Sequence, residues 1–369
     1  MKKTIFKRAV ATVLSIYTLL TLPAIAASAE AVNGAEAVEE SIPVLSENVK
    51  VGSRLYELFF GTGESEKATL VVGGGVFGLK IKQPNVTVTE AKGVPALKPG
   101  DIIISVNGER VSSASDVKRI VERSGGESLT IRALHAGNEI GIEIRPTLED
   151  GEYKLGLSLR DGAAGLGTVT FIDRESGRFG GLGHGICDSE SGEIISMESG
   201  EVCGVVLGGI HKGECGKPGE LCGILTDTDL GDLAVNSECG VFGIITDPSM
   251  LSGRELEISS RDEVKEGEAT ILSTLKNGNT AEYKIEIYDV DRSSRGSKSF
   301  RIRVTDETLK ALTGGIVRGM SGSPIIQGGK LVGAVTHVMV ADPTEGYGIF
   351  IENMLAEAEN VNYNSHKAA

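Results

Sequence analysis

The chain has no tryptophan and few aromatic residues of any kind, 4% in all, and its 369 residues include only five histidines and five cysteines. With so few histidines, each candidate for acid–base work can be weighed individually. The cysteines, Cys187, Cys203, Cys215, Cys222 and Cys239, fall in one window and are odd in number, so they cannot all pair within the chain. Short Cys-x-x-Cys pairs are missing, so Cys203, His211, Cys215 and Cys222 carry ligand chemistry without a zinc-site spacing. The thiols read as small buried residues, and neither a metal nor a cofactor is expected. Positive charge is also scarce. A balance of 37 Lys and Arg against 51 Asp and Glu leaves a net charge of −14, which argues against nucleic acid or an anionic membrane surface as partner.

Long apolar runs are missing except at the start. Lys2, Lys3, Lys7 and Arg8 precede an uncharged stretch from Ala9 to Ala29 that ends Ala27-Ser28-Ala29. This is the pattern of an export signal with a small-residue cleavage site, and its length is close to the ~20 residues that span a bilayer. Residues 1–29 therefore read as a signal peptide or membrane anchor that exports the chain. Residues 30–67 read as a linker, acidic in its first part around Glu36, Glu39 and Glu40.

Glycine, in contrast, is abundant at 50 residues, as many short strands joined by tight turns require. A first module is expected over 68–148. Pro99-Gly100-Asp101 and Asn107-Gly108 bracket an apolar strand, and Val117, Ile120 and Val121 share one face of a helix from Asp116 to Arg123 capped by Ser115. A hairpin alternating Leu129 and Ile131 with Ile140, Ile142 and Ile144 closes it. The opening run Gly73 to Gly78 lacks the Gly-Lys-Ser/Thr ending of a phosphate loop. Over 150–358 helical patterning nearly disappears. Stretches such as Gly167–Ile172, Tyr283–Ile287 and Phe300–Val304 argue a β-barrel or sandwich, and residues 359–369 read as a polar tail.

The most informative motif is Gly319-Met320-Ser321-Gly322-Ser323-Pro324. Glycines around a serine let the backbone turn sharply and aim N–H groups at one point. A serine needs such donors for its oxyanion product, and a base for its proton. Ser321 is the expected nucleophile, with oxyanion donors at the N–H groups of Gly319 and Ser321, while Ser323 is read as a small packed residue. His184, flanked by Gly183 and Gly185, is the expected base, and the order His then Ser selects a double β-barrel. His337 is its rival. Cys187 is disfavoured as a nucleophile, lying too close to His184 and outside any glycine-rich elbow. For the third member, Asp306 follows Phe300, Ile302 and Val304 at strand period, although it also suits a helix cap; Asp227, Asp229 and a plain Ser–His dyad stay open.

The runs Gly314–Pro324, Gly333–Val338, Asp342–Gly348, Asp161–Thr168 and Leu182–His184 resemble the stage IV sporulation protein B peptidases, over roughly residues 68 to 357. The resemblance implies a mainly β chain with a PDZ domain at 68–148 and a chymotrypsin-like serine peptidase at 150–358. It agrees with Ser321 and His184 and adds weight to Asp306, through Thr305-Asp306-x-x-Leu309. It further implies a PDZ peptide site in which Gly75, Val76, Phe77 and Gly78 hold a terminal carboxylate, and a substrate strand laid along Lys330–His337, Thr336 included. Met320 replaces the aspartate that pairs with a new N-terminus in digestive relatives of this fold, so control is expected from the PDZ module. The absence of an acidic residue around Gly315 and Ile316 disfavours cleavage after Lys or Arg.

The implied role is cleavage of a membrane-associated regulator between the two membranes around a forespore, leading to sigma-factor processing. The linker from Glu30 to Asn48 is a candidate for self-cleavage. A PDZ adaptor with an inactive barrel and an envelope quality-control protease are the alternatives.

Overall fold

The computed structural model describes residues 68–188, 192–276 and 278–359. The expected signal or anchor at 1–29, the linker at 30–67 and the tail beyond Glu359 lie outside them. Strand β1 (Thr69–Val72) leads into a long β2 (Val76–Ala91), then β3 (Ile102–Val106), β4 (Glu109–Arg110) and helix α1 (Ala114–Arg123). Next come β5 (Leu129–His135), β6 (Asn138–Ile144), the small hairpin β7 (Thr147–Glu149) and β8 (Glu152–Lys154), and a second long strand, β9 (Leu157–Ile172). Strands β10 (Arg178–Gly181), β11 (Ser199–His211), β12 (Glu220–Ser237), β13 (Gly240–Ile245) and β14 (Glu255–Glu257) complete the first half. The second half holds β15 (Gly267–Lys276), β16 (Asn279–Tyr288), β17 (Phe300–Val304), α2 (Glu307–Thr313), β18 (Pro324–Gln327), β19 (Lys330–Met339), β20 (Asp342–Phe350) and α3 (Ile351–Glu359).

Strand pairings close two barrels. Strand β2 pairs with β9, β9 with β10, β10 with β13, β13 with β12, β12 with β11, and β11 again with β2, a ring of six. Its interior is filled at strand period by Phe77, Leu79 and Ile81 from β2, with Val169, Phe179 and Val241 from neighbouring strands. The second ring runs β15-β16-β17-β20-β19-β18 and closes on β15. There Phe300, Ile302 and Val304 point inward against Tyr283, Ile285 and Ile287.

The PDZ module does not precede this peptidase; it is inserted into the first barrel. Residues 76–82 of β2 pair with β9 and β11 inside the barrel. Beyond a register shift, residues 87–91 of the same strand pair with 157–160 of β9 and belong to the module. The expected boundary at 68 is therefore corrected: residues 69–82 belong to the peptidase, and a separate core of Val86, Val88, Ile103, Ile120 and Leu129 marks the module. Its helix starts two residues earlier than expected. Ser113, not Ser115, is the cap, because its side chain accepts from Asp116 N while the Asp116 carboxylate accepts from Ser113 N.

Candidate active site

The turn that carries Ser321, the expected nucleophile, comes from the second barrel and is clamped by the first. Gly322 has φ +92, and a Cβ there would stand 2.0 Å from the Thr168 carbonyl oxygen, so only glycine lets this turn press on β9. Thr168 N–H donates to the Ser321 carbonyl at 2.9 Å, the Thr168 hydroxyl to the Gly319 carbonyl at 2.8 Å, and the Thr170 hydroxyl to the Gly322 carbonyl at 2.8 Å. Both threonines are fully buried. Met320 is also buried, in the core of the second barrel, which anchors the turn from the other side. Among the described residues, neither Gly319 N–H nor Ser321 N–H has an acceptor, and both residues line the cleft. These are the two donors expected for an oxyanion.

The histidine arrives on a strained turn. Leu182 has φ +63, a left-handed conformation uncommon for a branched side chain, and Gly183 follows with φ +68. Buried Leu182 holds the turn in place, and His184 enters the same cleft as Ser321, Thr336 and His337. Its Nδ1 lies 2.8 Å from the Gly185 carbonyl. A carbonyl only accepts, so Nδ1 carries the proton and Nε2 keeps its lone pair, the tautomer a general base needs. Burial lowers the His184 pKa from its ordinary value and so favours the neutral ring, and the Gly185 carbonyl opposes this only in part.

His337 stacks beside it, with ring centroids 4.8 Å apart. Burial, with the neighbouring His184 and Lys298, pushes its pKa down to about 4. Ser321 Oγ does not hydrogen-bond to His184; it donates to the Thr336 carbonyl at 2.8 Å. Ser323 is fully buried and its hydroxyl makes no hydrogen bond among the described residues, the packed residue expected of it.

Asp306 is corrected. The strand ends at Val304, and Asp306 caps α2, accepting from Leu309 N at 3.0 Å and Lys284 N at 3.2 Å. Burial pushes its carboxyl pKa up, but backbone N–H groups of Leu309, Lys284 and Thr308 more than offset this. Asp227 and Asp229 are exposed on β12. Among the described residues no carboxylate bonds to His184; the Gly185 carbonyl takes the orienting task expected of an aspartate.

The peptide-binding expectation at Gly75–Gly78 is also corrected. Gly75 and Val76 meet Val169 and Thr168 of β9, and Phe77 is fully buried in the first barrel. The groove that suits an added strand lies elsewhere, between α1 (Val117, Lys118, Val121) and the Leu155–Leu159 segment. Thr336 lies on β19 and lines the cleft. Strand β18 pairs with β19 only as far as Ala334, so β19 beyond it borders the cleft. All five cysteines are free thiols, and burial raises Cys203 and pushes Cys239 up to about 12, which leaves those two inert.

Thr168 and Thr170 were not singled out as functional from the sequence. The sequence signal for them is two hydroxyls at period two within the apolar end of β9, residues 165–172. Thr168→Val keeps the shape but leaves the Gly319 carbonyl without its buried donor, a loss of about 1–3 kcal/mol. Turnover is expected to fall about 10–100-fold with little change in KM. Steady-state kinetics check this, and wild-type turnover would show that the clamp does not position the oxyanion loop.

Residues 151–355 match the family model described as SpoIVB peptidase S55, and residues 96–134 match a PDZ domain. A protein of Agrobacterium fabrum named as a zinc metalloprotease, Atu1380, is 26% identical over 153 residues, 39% of this chain and 40% of that protein. The chain thus spans about two fifths of that relative's length. A DegP-like periplasmic serine endoprotease of Bartonella henselae is 42% identical over 50 residues, 13% of this chain and 10% of that protein. The solved active form of the Rv3671c protease from M. tuberculosis aligns at 12% identity and a TM-score of 0.33, covering 54% of this chain and 76% of that one.

Proposed function

The chain belongs to the SpoIVB peptidase S55 family, serine endopeptidases that here carry a PDZ domain, and from that premise we propose that it is an exported enzyme of sporulation signalling. Its substrate in this reading is a membrane-associated regulator between the two forespore membranes, whose cleavage leads to sigma-factor processing. The observation that carries the reading is the family match over 151–355, together with the shared cleft of Ser321 and His184 inside it.

The chemistry follows from the resting hydrogen bonds. A substrate strand laid along β19 brings an N–H to the Thr336 carbonyl, the acceptor now held by Ser321 Oγ. Displaced from it, the hydroxyl turns to Nε2 of His184, which takes its proton as Oγ attacks the scissile carbonyl. The oxyanion forms against the N–H groups of Gly319 and Ser321, and His184 then returns the proton to the leaving amine. No carboxylate lines the described cleft, so cleavage after small or apolar residues is part of the proposal, and a peptide library reads it directly.

Control by the PDZ domain is supported by continuity. Strand β9 runs from the peptide groove to the cleft, where its Ala163, Ala164 and Leu166 form one wall with Leu79 of β2. Asp161 of β9 accepts from Ala114 N at the start of α1, and Arg160 pairs with Asp188, four residues after His184. A segment bound in the groove therefore pulls on the strand that braces the nucleophile turn. In the host that carries this chain, replacing it by the Ser321→Ala form is expected to abolish spore formation and leave the sigma factor as its precursor. Spores at wild-type frequency would remove the sporulation role. In the same host, Arg160→Gln is expected to reduce cleavage of the protein substrate while sparing a short peptide; equal loss on both would remove PDZ control.

A further inference from the structure

Strands β11 and β12 extend beyond the first barrel as a long hairpin, and its outer end carries chemistry that the peptidase reaction does not use. His211 stands directly opposite Glu220, and Cys222, two residues further along β12, lies on the same face, opposite Gly209. Gly209 has no side chain and has open space where one would be, so the surface over Cys222 is uncovered. His211 Nδ1 lies 3.0 Å from Glu220 Oε1 and 3.5 Å from Cys222 Sγ, and one donor atom from each residue falls within 4.8 Å of the others.

We propose that His211, Glu220 and Cys222 form a binding site for a borderline-soft divalent cation of the zinc type. Imidazole, carboxylate and thiolate are its common ligands, with bonds of about 2.0–2.3 Å. Tetrahedral geometry at those lengths separates nitrogen and sulfur ligands by about 3.5 Å, and nitrogen and oxygen ligands by about 3.4 Å. The first is the spacing already present, and the second asks for about 0.4 Å of movement from two exposed side chains. Binding releases the thiol proton of Cys222, uses the Nδ1 lone pair of His211, and leaves a fourth position open to water.

The place is pointed. Leu221, between two of the ligands, packs against Gly319, where an added Cβ would stand 3.1 Å from its side chain, and its N–H donates to the Arg318 carbonyl at 2.9 Å. The ion would sit on the strand that backs the oxyanion loop. Cys203, also a ligand type in this window, is buried in the barrel and takes no part.

The test is titration of the full chain, reduced and free of chelator, with cobalt(II), read by the thiolate-to-cobalt absorption band and by competition with zinc. The expected result is one ion per chain in the wild type, with affinity at least tenfold weaker in both His211→Ala and Cys222→Ser. Cys215→Ser and Cys187→Ser, which remove the two exposed thiols outside the half-buried Cys222, are expected to keep the band. No band in the wild type overturns the site. So does a band that survives His211→Ala and Cys222→Ser, or one that vanishes only with Cys215 or Cys187.

Discussion

Ser321→Ala is expected to lower kcat/KM by about 10⁴–10⁶-fold, to the background of a reaction without its nucleophile, while the thermal midpoint stays within a few degrees of wild type. The hydroxyl donates one hydrogen bond, to the Thr336 carbonyl, at a partly buried site, so its loss costs little in stability. Ser323→Ala is the matched control. Its hydroxyl is buried and unbonded among the described residues, so removal should leave turnover near wild type and stability equal or slightly higher. Peptide cleavage and thermal unfolding of the two variants measure this. An active Ser321→Ala beside an inactive Ser323→Ala would reverse the assignment.

That distinction was legible in the sequence because a nucleophile frame is local. The glycines on either side of Ser321, and those beside His184, report backbone conformations each residue needs on its own. What the sequence could not report was pairing. Val76 to Ile81 alternate as any half-buried strand does, and nothing in that alternation says whether the partner is a PDZ strand or a barrel strand. A domain inserted in the middle of two strands leaves their period unbroken, so nothing in that period separates the opening glycines of the barrel from the module. Asp306 failed for a related reason. Its place two residues after Val304 continues the inward period only if the strand continues, and the competing local signal, an N-cap before Glu307, won. The carbonyl that orients His184 belongs to its own neighbour, Gly185, and a backbone acceptor has no side-chain signature at all. Nor did period or spacing bring His211, Glu220 and Cys222 together, since a hairpin with register shifts places them.

His184→Ala carries the second large effect, a loss in kcat/KM of about 10⁴–10⁶-fold, close to that of Ser321→Ala and not additive with it. His337→Phe should cost less than about tenfold, since that ring carries no charge at pH 7 and is expected to pack beside the base, where phenylalanine keeps the ring contact with His184. The pH profile separates the two rings further. The His184 pKa is lowered by burial, so the acid limb of kcat/KM should fall below the ordinary histidine value of 6.5: the base is competent above its folded-state pKa and is lost as the pH drops through it.

His337 also makes stability depend on pH, in the same direction as the lowered His184. With a folded pKa of about 4 against 6.5 unfolded, the native state binds fewer protons across that window. The contribution is therefore complete above pH 6.5 and is lost as the pH falls toward 4, on the order of 3 kcal/mol at full effect. His337→Phe should flatten this loss. An inactive His337→Phe with an active His184→Ala would exchange the roles of the two rings.

The central claim is that one serine of the second barrel is activated by one histidine of the first. Labelling with a fluorophosphonate, which reacts only with an activated serine, followed by mass mapping of the peptide, tests it most directly. The expected adduct is on Ser321, at one per chain, and is absent in His184→Ala although that variant remains folded. An adduct on another serine, or full labelling of Ser321 in the absence of His184, would contradict it.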